Sequence, residues 1–328
     1  LSALLEAEAL SKRFLWRHPG LPWRRRYLQA LAGVSLRLEA GECLGVVGES
    51  GSGKTTLARC LIRLHEPDGG RVRLAGEDLL ALDRRRLRRR RRDAQLIFQD
   101  PQAALDARMR IGALVAEPLA IHRLAPPPAR AARAAELLEQ VGLAADLAGR
   151  YPHELSGGQR QRVAIARALA CAPRLLIADE AVSALDVSVQ AQILALLARL
   201  VDRGLGMIFI SHDLAVVERV AGRVLVFYLG RVVESGSRRA LFGRPLHPYT
   251  VSLLAAVPQP APGRRRPPPV AGEVASALAP PPGCPFHPRC PIARERCRSE
   301  RPALVDAGGG HAVACHYPGE VDVPPARP

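Results

Sequence analysis

The sequence predicts an α/β fold built on a parallel sheet, with a small cysteine-bearing extension at its C-terminal end. Three observations carry this. Short apolar runs recur at 42–47, 174–178 and 207–210, each with the length and composition of a strand buried on both faces. Stretches of helical character lie between them, and such alternation favours a parallel sheet with right-handed crossovers. After Ala256 the composition shifts to proline, arginine and alanine, and four of the seven cysteines follow.

The elements read in order as follows. Val34-Ser35-Leu36-Arg37-Leu38 alternates apolar and polar positions, the pattern of a half-buried strand. The buried run at 42–47 leads through a glycine-rich turn into a helical stretch over 55–64, and a turn is expected at 67–70. Residues 102–150 read mostly as helix, with apolar spacing through 131–141 and an interruption at Pro126-Pro127-Pro128. Residues 257–282 read as a Pro/Arg-rich linker, and 283–328 as a separate cysteine module. No repeat of solenoid type is present.

Bulk properties narrow the function classes. The 328 residues suffice for one large domain and a smaller one, and 48% hydrophobic content argues against disorder throughout. The formal net charge is +16, concentrated in arginine runs at 84–92 and 264–266. Such runs read as solvated surface or as a contact for a membrane surface or partner. Aromatic residues make up only 4%, which supplies few stacking platforms, so no nucleic-acid partner is expected. No stretch reaches the ~18–20 apolar residues that span a bilayer. The opening segment LSALLEAEAL has no basic n-region and does not read as a signal peptide. A cytoplasmic protein is expected.

Gly48-Glu49-Ser50-Gly51-Ser52-Gly53-Lys54-Thr55, with Thr56 following, fits G-x-x-x-x-G-K-[ST] between a strand and a helix. Glycines let the backbone curl so that N–H groups point at phosphate oxygens, and the helix N-terminus favours anions. Lys54 is expected to reach the β- and γ-phosphates, and the Thr55 hydroxyl to ligate Mg²⁺. Further on, Leu175-Leu176-Ile177-Ala178 ends in Asp179-Glu180, two carboxylates at the carboxyl end of a strand. Alone, that pair also reads as a helix N-cap. With the phosphate loop upstream, Asp179 is expected to hold Mg²⁺ and Glu180 to polarise an attacking water.

Roughly 100 residues beyond the first loop stands Leu155-Ser156-Gly157-Gly158-Gln159, followed by Arg160-Gln161-Arg162. It is a second glycine-rich turn opening a helix. Here the sequence resembles the ABC ATPase family, whose signature is LSGGQ. The resemblance implies a P-loop NTPase core over residues 1–256, with a helical subdomain at about 102–165. It implies that Ser156, Gly157, Gly158 and Gln159 close over the nucleotide of a second subunit. Gln99 matches the glutamine that senses Mg²⁺ and the pore subunit, and Ser183-Ala184-Leu185-Asp186 the loop that crosses the dimer interface. His212 matches the histidine that contacts the γ-phosphate and holds Glu180 and water in line. Phe14 occupies the approximate place of the aromatic that stacks on adenine, with Trp16, Trp23 and Tyr27 nearby and a core phenylalanine as the other reading.

Ala181-Val182 stands where many members have Pro-Thr, and DEAVSALDVSVQAQ resembles the oligopeptide and dipeptide importer branch. Leu246-His247-Pro248-Tyr249-Thr250 is also typical of that branch. The resemblance implies ATP and Mg²⁺ as cofactors and two transmembrane permeases as partners. It also implies a second ATPase subunit in a heterodimer, an extracytoplasmic substrate-binding protein, and a peripheral place on the cytoplasmic face of the inner or plasma membrane. Di- or oligopeptide import is expected. Nickel or another small solute is carried by close relatives, and a soluble ABC ATPase without a transport role is the reading from another class.

Cys43, Cys60 and Cys171 read as small buried core residues. Cys284, Cys290, Cys297 and Cys315 form the set C-x5-C-x6-C-x17-C. In a cytosolic protein four such thiols read as ligands for zinc or an iron–sulfur cluster, or as free thiols. Gly-Cys-Pro-Phe-His-Pro-Arg-Cys-Pro resembles the peptide-importer extension, which implies a [4Fe–4S] cluster. His287, His311 and His316 are alternative ligands.

Overall fold

Short runs without polar alternation form strands only where neighbours cover both faces, and Cys43–Val47 and Leu175–Asp179 are buried at every position. The computed structural model that contains them describes residues 3–18, 21–100, 104–183, 185–256 and 275–321. The expected linker at 257–282 lies outside the described residues as far as 274.

In chain order the first half runs β1 (Leu5–His18), β2 (Leu21–Leu38), β3 (Cys43–Val47), α1 (Lys54–Leu61), β4 (Gly69–Leu74), β5 (Glu77–Asp78), α2 (Arg84–Arg90), β6 (Ala94–Ile97), α3 (Ile111–Ile121), α4 (Arg130–Gln140) and α5 (Gly157–Leu169). It continues β7 (Leu175–Asp179), α6 (Val187–Asp202), β8 (Gly206–Ser211), α7 (Leu214–Val220), β9 (Arg223–Tyr228), β10 (Arg231–Ser237), α8 (Arg238–Gly243) and α9 (Pro248–Ala256). The C-terminal module adds α10 (Glu295–Ser299), β11 (Val305–Asp306) and β12 (Ala312–Val313). The chain divides into two compact units.

The first unit comprises Leu1–Glu6, Arg37–Cys43 and Arg73–Ile210. Its central strand is β7, parallel to β6 from Ala94↔Leu175 to Ile97↔Ala178 and to β8 from Leu175↔Gly206 to Asp179↔Ile210. The connection from β6 to β7 carries α3, α4 and α5, which pack on one another. Leu114, Val115 and Leu119 of α3 and Ala134, Leu137 and Leu138 of α4 are buried at helical spacing. Arginines of α5 fasten the cluster. Arg162 donates to the Val141 carbonyl and to Gln192 Oε1, both at 2.6 Å. Arg167 pairs with Glu117 at 2.6 Å and donates to the Ala104 carbonyl at 3.0 Å.

The second unit comprises Ala7–Leu36, Leu44–Val72 and Ser211–Pro328. Here β9 runs parallel to β3, from Leu44↔Arg223 to Val47↔Val226, and antiparallel to β10. The C-terminal module extends this sheet through β12 and β11, both antiparallel. The β10–β12 seam is pinned by Glu234, a fully buried carboxylate that accepts the Leu246 N–H at 2.7 Å, the His247 N–H at 2.9 Å and His311 Nε2 at 2.7 Å. A buried carboxylate persists only with its lone pairs satisfied in this way.

Two expected boundaries shift. The helix after the glycine-rich turn ends at Leu61 rather than 64, where Arg63 takes a left-handed φ of 53°. Gly69 and Gly70 open β4 instead of completing a turn, because a Cβ on Gly70 would meet the Glu8 carbonyl at 2.5 Å. The glycines there serve close strand approach.

The three core cysteines are buried as expected, and burial pushes their thiols up to about 12 for Cys43 and about 11 for Cys60 and Cys171. Native protein treated with iodoacetamide at about pH 8, below these values, will leave all three unlabelled, whereas unfolded protein will label them. Mass spectrometry of the digested chain reads the result, and rapid native labelling of Cys43 would contradict the fold.

Candidate functional site

In the second unit, β3 runs into a loop whose backbone only glycine can follow. Gly48, Gly51 and Gly53 have φ of 153°, 78° and 107°. A Cβ on Gly48 would stand 2.3 Å from the Phe227 carbonyl oxygen, and one on Gly53 2.3 Å from that of Ala30. The loop wraps the side chain of Lys54, which is 4% exposed. Its Nζ donates to the carbonyls of Gly48 at 2.6 Å and Glu49 at 2.9 Å. Ser52 N–H donates to the Glu49 carbonyl at 3.2 Å, closing the curl. Thr55 and Thr56 stand in the first turn of α1. A curled main chain, a helix N-terminus and a buried ammonium form a receptor for a polyanion.

Other segments of the same unit hold this loop. Gly230 N–H, in the β9–β10 turn, donates to the Ser52 carbonyl at 2.8 Å. Glu49 N–H donates to the Tyr249 hydroxyl at 2.8 Å. The Glu49 carboxylate accepts both terminal nitrogens of Arg289, at 2.7 and 2.8 Å. Sequence reasoning missed Tyr249 and Arg289 as loop contacts. Both stand in stretches with family character, yet no spacing rule links residues 200 and 240 positions apart.

In the first unit, β7 delivers Asp179 and Glu180. Asp179 is 3% exposed. Glu180 takes a left-handed φ of 48°, uncommon for a residue with a side chain, and its N–H donates to the Ile210 carbonyl at 2.9 Å. Gln99, just beyond β6, donates from Nε2 to Glu180 Oε2 at 2.8 Å. The structure therefore brings together two residues 81 positions apart that the sequence singled out separately. Ser183 Oγ donates to the Glu180 carbonyl at 3.0 Å.

Ser156 to Gln159 form the N-terminus of α5. Ser156 and Gln159 close a reciprocal capping box, with Ser156 N–H to Gln159 Oε1 at 2.9 Å and Gln159 N–H to Ser156 Oγ at 3.3 Å. Gly158 lets α6 approach, since a Cβ there would stand 2.5 Å from Val189 Cγ1. Asp186 caps α6 through the Val189 N–H at 2.9 Å, and Ala184 lies outside the described residues. His212 is exposed just past β8. Phe14 is half-buried, edge-on to His65 at 5.5 Å between centroids, so it is no core residue. Tyr27 is 58% exposed.

The four C-terminal cysteines line one small cavity of about 10 Å³ together with His247, Phe286 and Tyr317. Burial raises three of these thiols, Cys284 in direction, Cys290 to about 11 and Cys315 to about 12. Among the described residues no three ligand side chains gather closely enough for a single metal ion. Of the alternative histidines, His287 and His316 line the same cavity, each with one ring nitrogen against a carbonyl (Cys284 and Glu300), while His311 pairs with Glu234.

The chain is similar to known proteins. Residues 31–183 match the ABC transporter family, and residues 233–297 match the family described as oligopeptide/dipeptide transporter, C-terminal region. A Sinorhizobium fredii protein named a probable peptide ABC transporter ATP-binding protein is 52% identical over 320 residues, covering 96% of this chain and 90% of that one. The di/tripeptide transport ATP-binding protein of Pseudomonas aeruginosa is 47% identical over 316 residues, covering 94% and 97%. Among solved structures, the dimeric post-hydrolysis state of an ATP-binding cassette with ADP and phosphate aligns at TM-score 0.64 and 30% identity, over 72% of this chain and 99% of that one.

The loop geometry makes a direct prediction. Gly53→Ala places a Cβ against the Ala30 carbonyl at a left-handed φ, and should lower unfolding stability by about 1–3 kcal/mol. Urea denaturation followed by circular dichroism measures this, and an unchanged midpoint would contradict the geometry.

Proposed function

The chain belongs to the ABC transporter family of ATP-binding subunits, and from that membership we propose that it hydrolyses ATP to drive a peptide importer. The observation that carries the reading is the ordered set of a glycine-curled loop around Lys54, a hydrogen-bonded Gln99–Glu180 pair and a capped LSGGQ turn.

In this reading the main-chain amides of residues 48–55 cradle the phosphates, and Lys54 spans the β- and γ-phosphates. Each unit carries oxygen donors of the kind Mg²⁺ takes, the Thr55 hydroxyl in the second and the Asp179 carboxylate and Gln99 amide oxygen in the first. An all-oxygen set completed by phosphate suits that ion, which supplies charge neutralisation on the phosphoryl group. Glu180 polarises the attacking water, and Gln99 orients it through their 2.8 Å hydrogen bond. His212, exposed, contacts the γ-phosphate. Phe14, half-buried, stacks on the adenine. Ser156 to Gln159 face the nucleotide of a second cassette, expected to be a different chain. A capped, exposed helix N-terminus supports that role.

Coupling to two permeases runs through the first unit. A groove there is lined by Phe98, Leu105, Pro118, Ile121 and Arg167, with Phe98 40% and Ile121 47% exposed. Exposed apolar side chains beside a charge suit a short permease helix. Among the described residues no helix is long and apolar enough to cross a membrane. In this reading the pore belongs to the permeases, the chain is peripheral on their cytoplasmic face, and a substrate-binding protein delivers peptide outside.

The four thiols that line one cavity would together hold a [4Fe–4S] cluster. Anaerobically purified protein should contain about four iron and four sulfide per chain. Stoichiometric zinc, or no metal, would remove this part of the reading.

Glu180→Gln should lower ATP turnover by at least about 10²-fold, the usual scale for a general base, while nucleotide binding persists. Phosphate release by the complex with its permeases measures the first and fluorescent nucleotide titration the second. Turnover that survives the substitution would contradict the assignment.

A further inference from the structure

Glu49 is the only acidic residue between Gly48 and Thr55. A carboxylate in a receptor for a triphosphate is a liability, because like charges repel, and with its side chain 27% exposed Glu49 is screened by water only in part. The structure deals with it from far along the chain. Arg289 grips the Glu49 carboxylate with two hydrogen bonds of 2.7 and 2.8 Å, and its own side chain is only 5% exposed. The guanidinium lies 5.8 Å from the Phe286 ring centroid, and Phe286 packs on Tyr249 at 5.3 Å. Tyr249 in turn accepts the Glu49 N–H. The Glu49 carbonyl accepts from Lys54 Nζ at 2.9 Å. Every polar part of Glu49 is thus engaged, and its carbonyl accepts both the Ser52 N–H and the ammonium that would meet phosphate.

We infer that Arg289 is a positioning residue for nucleotide binding: seated in the turn between Cys284 and Cys290, it neutralises and immobilises Glu49, and through Glu49 it fixes the phosphate loop around Lys54. The inference rests on the loop's reading as the ATP site. It gives the cysteine module a task in nucleotide binding. A bidentate guanidinium–carboxylate pair fixes orientation as well as charge, which a lysine in the same place would do less well.

The test uses the full chain and titrates 2′/3′-O-(N-methylanthraniloyl)-ATP with Mg²⁺. Arg289→Ala should weaken binding by roughly tenfold, the scale set by stranding the carboxylate of a partly buried charge pair. Steady-state kinetics with the permeases should show this as a raised KM for ATP with kcat within about twofold. Adding Glu49→Gln to Arg289→Ala should recover part of the loss, because the stranded charge is gone. A module that had merely come apart would not be rescued that way. Arg289→Lys should fall between wild type and Arg289→Ala, and it carries the comparison if the alanine variant does not fold. Binding by Arg289→Ala equal to wild type, or no recovery in the double variant, overturns the inference. A wild-type chain that binds no nucleotide would instead overturn the reading of the loop, and this inference with it.

Discussion

A lysine ammonium withdrawn from water needs oxygen partners, and at Lys54 the backbone of its own loop supplies them. The carbonyls of Gly48 and Glu49 lie 2.6 and 2.9 Å from Nζ. To bring them there the chain must turn at three positive-φ glycines, two of which have a carbonyl oxygen where a Cβ would stand. Desolvating a charge is costly unless it is paired or hydrogen-bonded. The curl of residues 48–54 and the burial of Lys54 therefore require each other. A triphosphate replaces carbonyl dipoles with full negative charge, so the receptor is already shaped for its ligand and gains electrostatically on binding.

The other half of the chemistry depends on a similar constraint. β7 is buried on both faces, so polar residues can emerge only at its end, which is where Asp179 and Glu180 stand. The left-handed turn at Glu180 is held by its N–H bond to the Ile210 carbonyl, and Gln99 steadies the carboxylate. Backbone strain of this kind persists where surrounding structure over-determines it, and it clusters where a side chain must be aimed.

Much of this was legible in the sequence, for local reasons. The runs at 42–47, 174–178 and 207–210 announced buried strands because nothing polar interrupts them. The motif around Lys54 announced its loop because each glycine answers a local steric need. The turn at Ser156 to Gln159 announced the start of a helix, and its capping box, seen only in the fold, sits within a single helical turn. Long-range partners were not legible. The Tyr249 hydroxyl and the Arg289 guanidinium reach Glu49 across 200 and 240 positions, and no periodicity encodes such a meeting. Gly69 and Gly70 misled for a related reason: glycine marks turns and close strand approach alike, and only the neighbouring carbonyl of Glu8 decides. The C-terminal cysteines cluster in the sequence, while their shared cavity with His247 and Phe286 required the fold.

The account turns on Lys54 exchanging protein oxygens for phosphate oxygens. A crystal structure with a non-hydrolysable ATP analogue and Mg²⁺ tests this most directly. The account predicts that Nζ leaves the Gly48 and Glu49 carbonyls for the β- and γ-phosphates while the main chain of the loop keeps its course. An analogue bound elsewhere, or a loop that stays closed on Nζ with no phosphate against it, would contradict it.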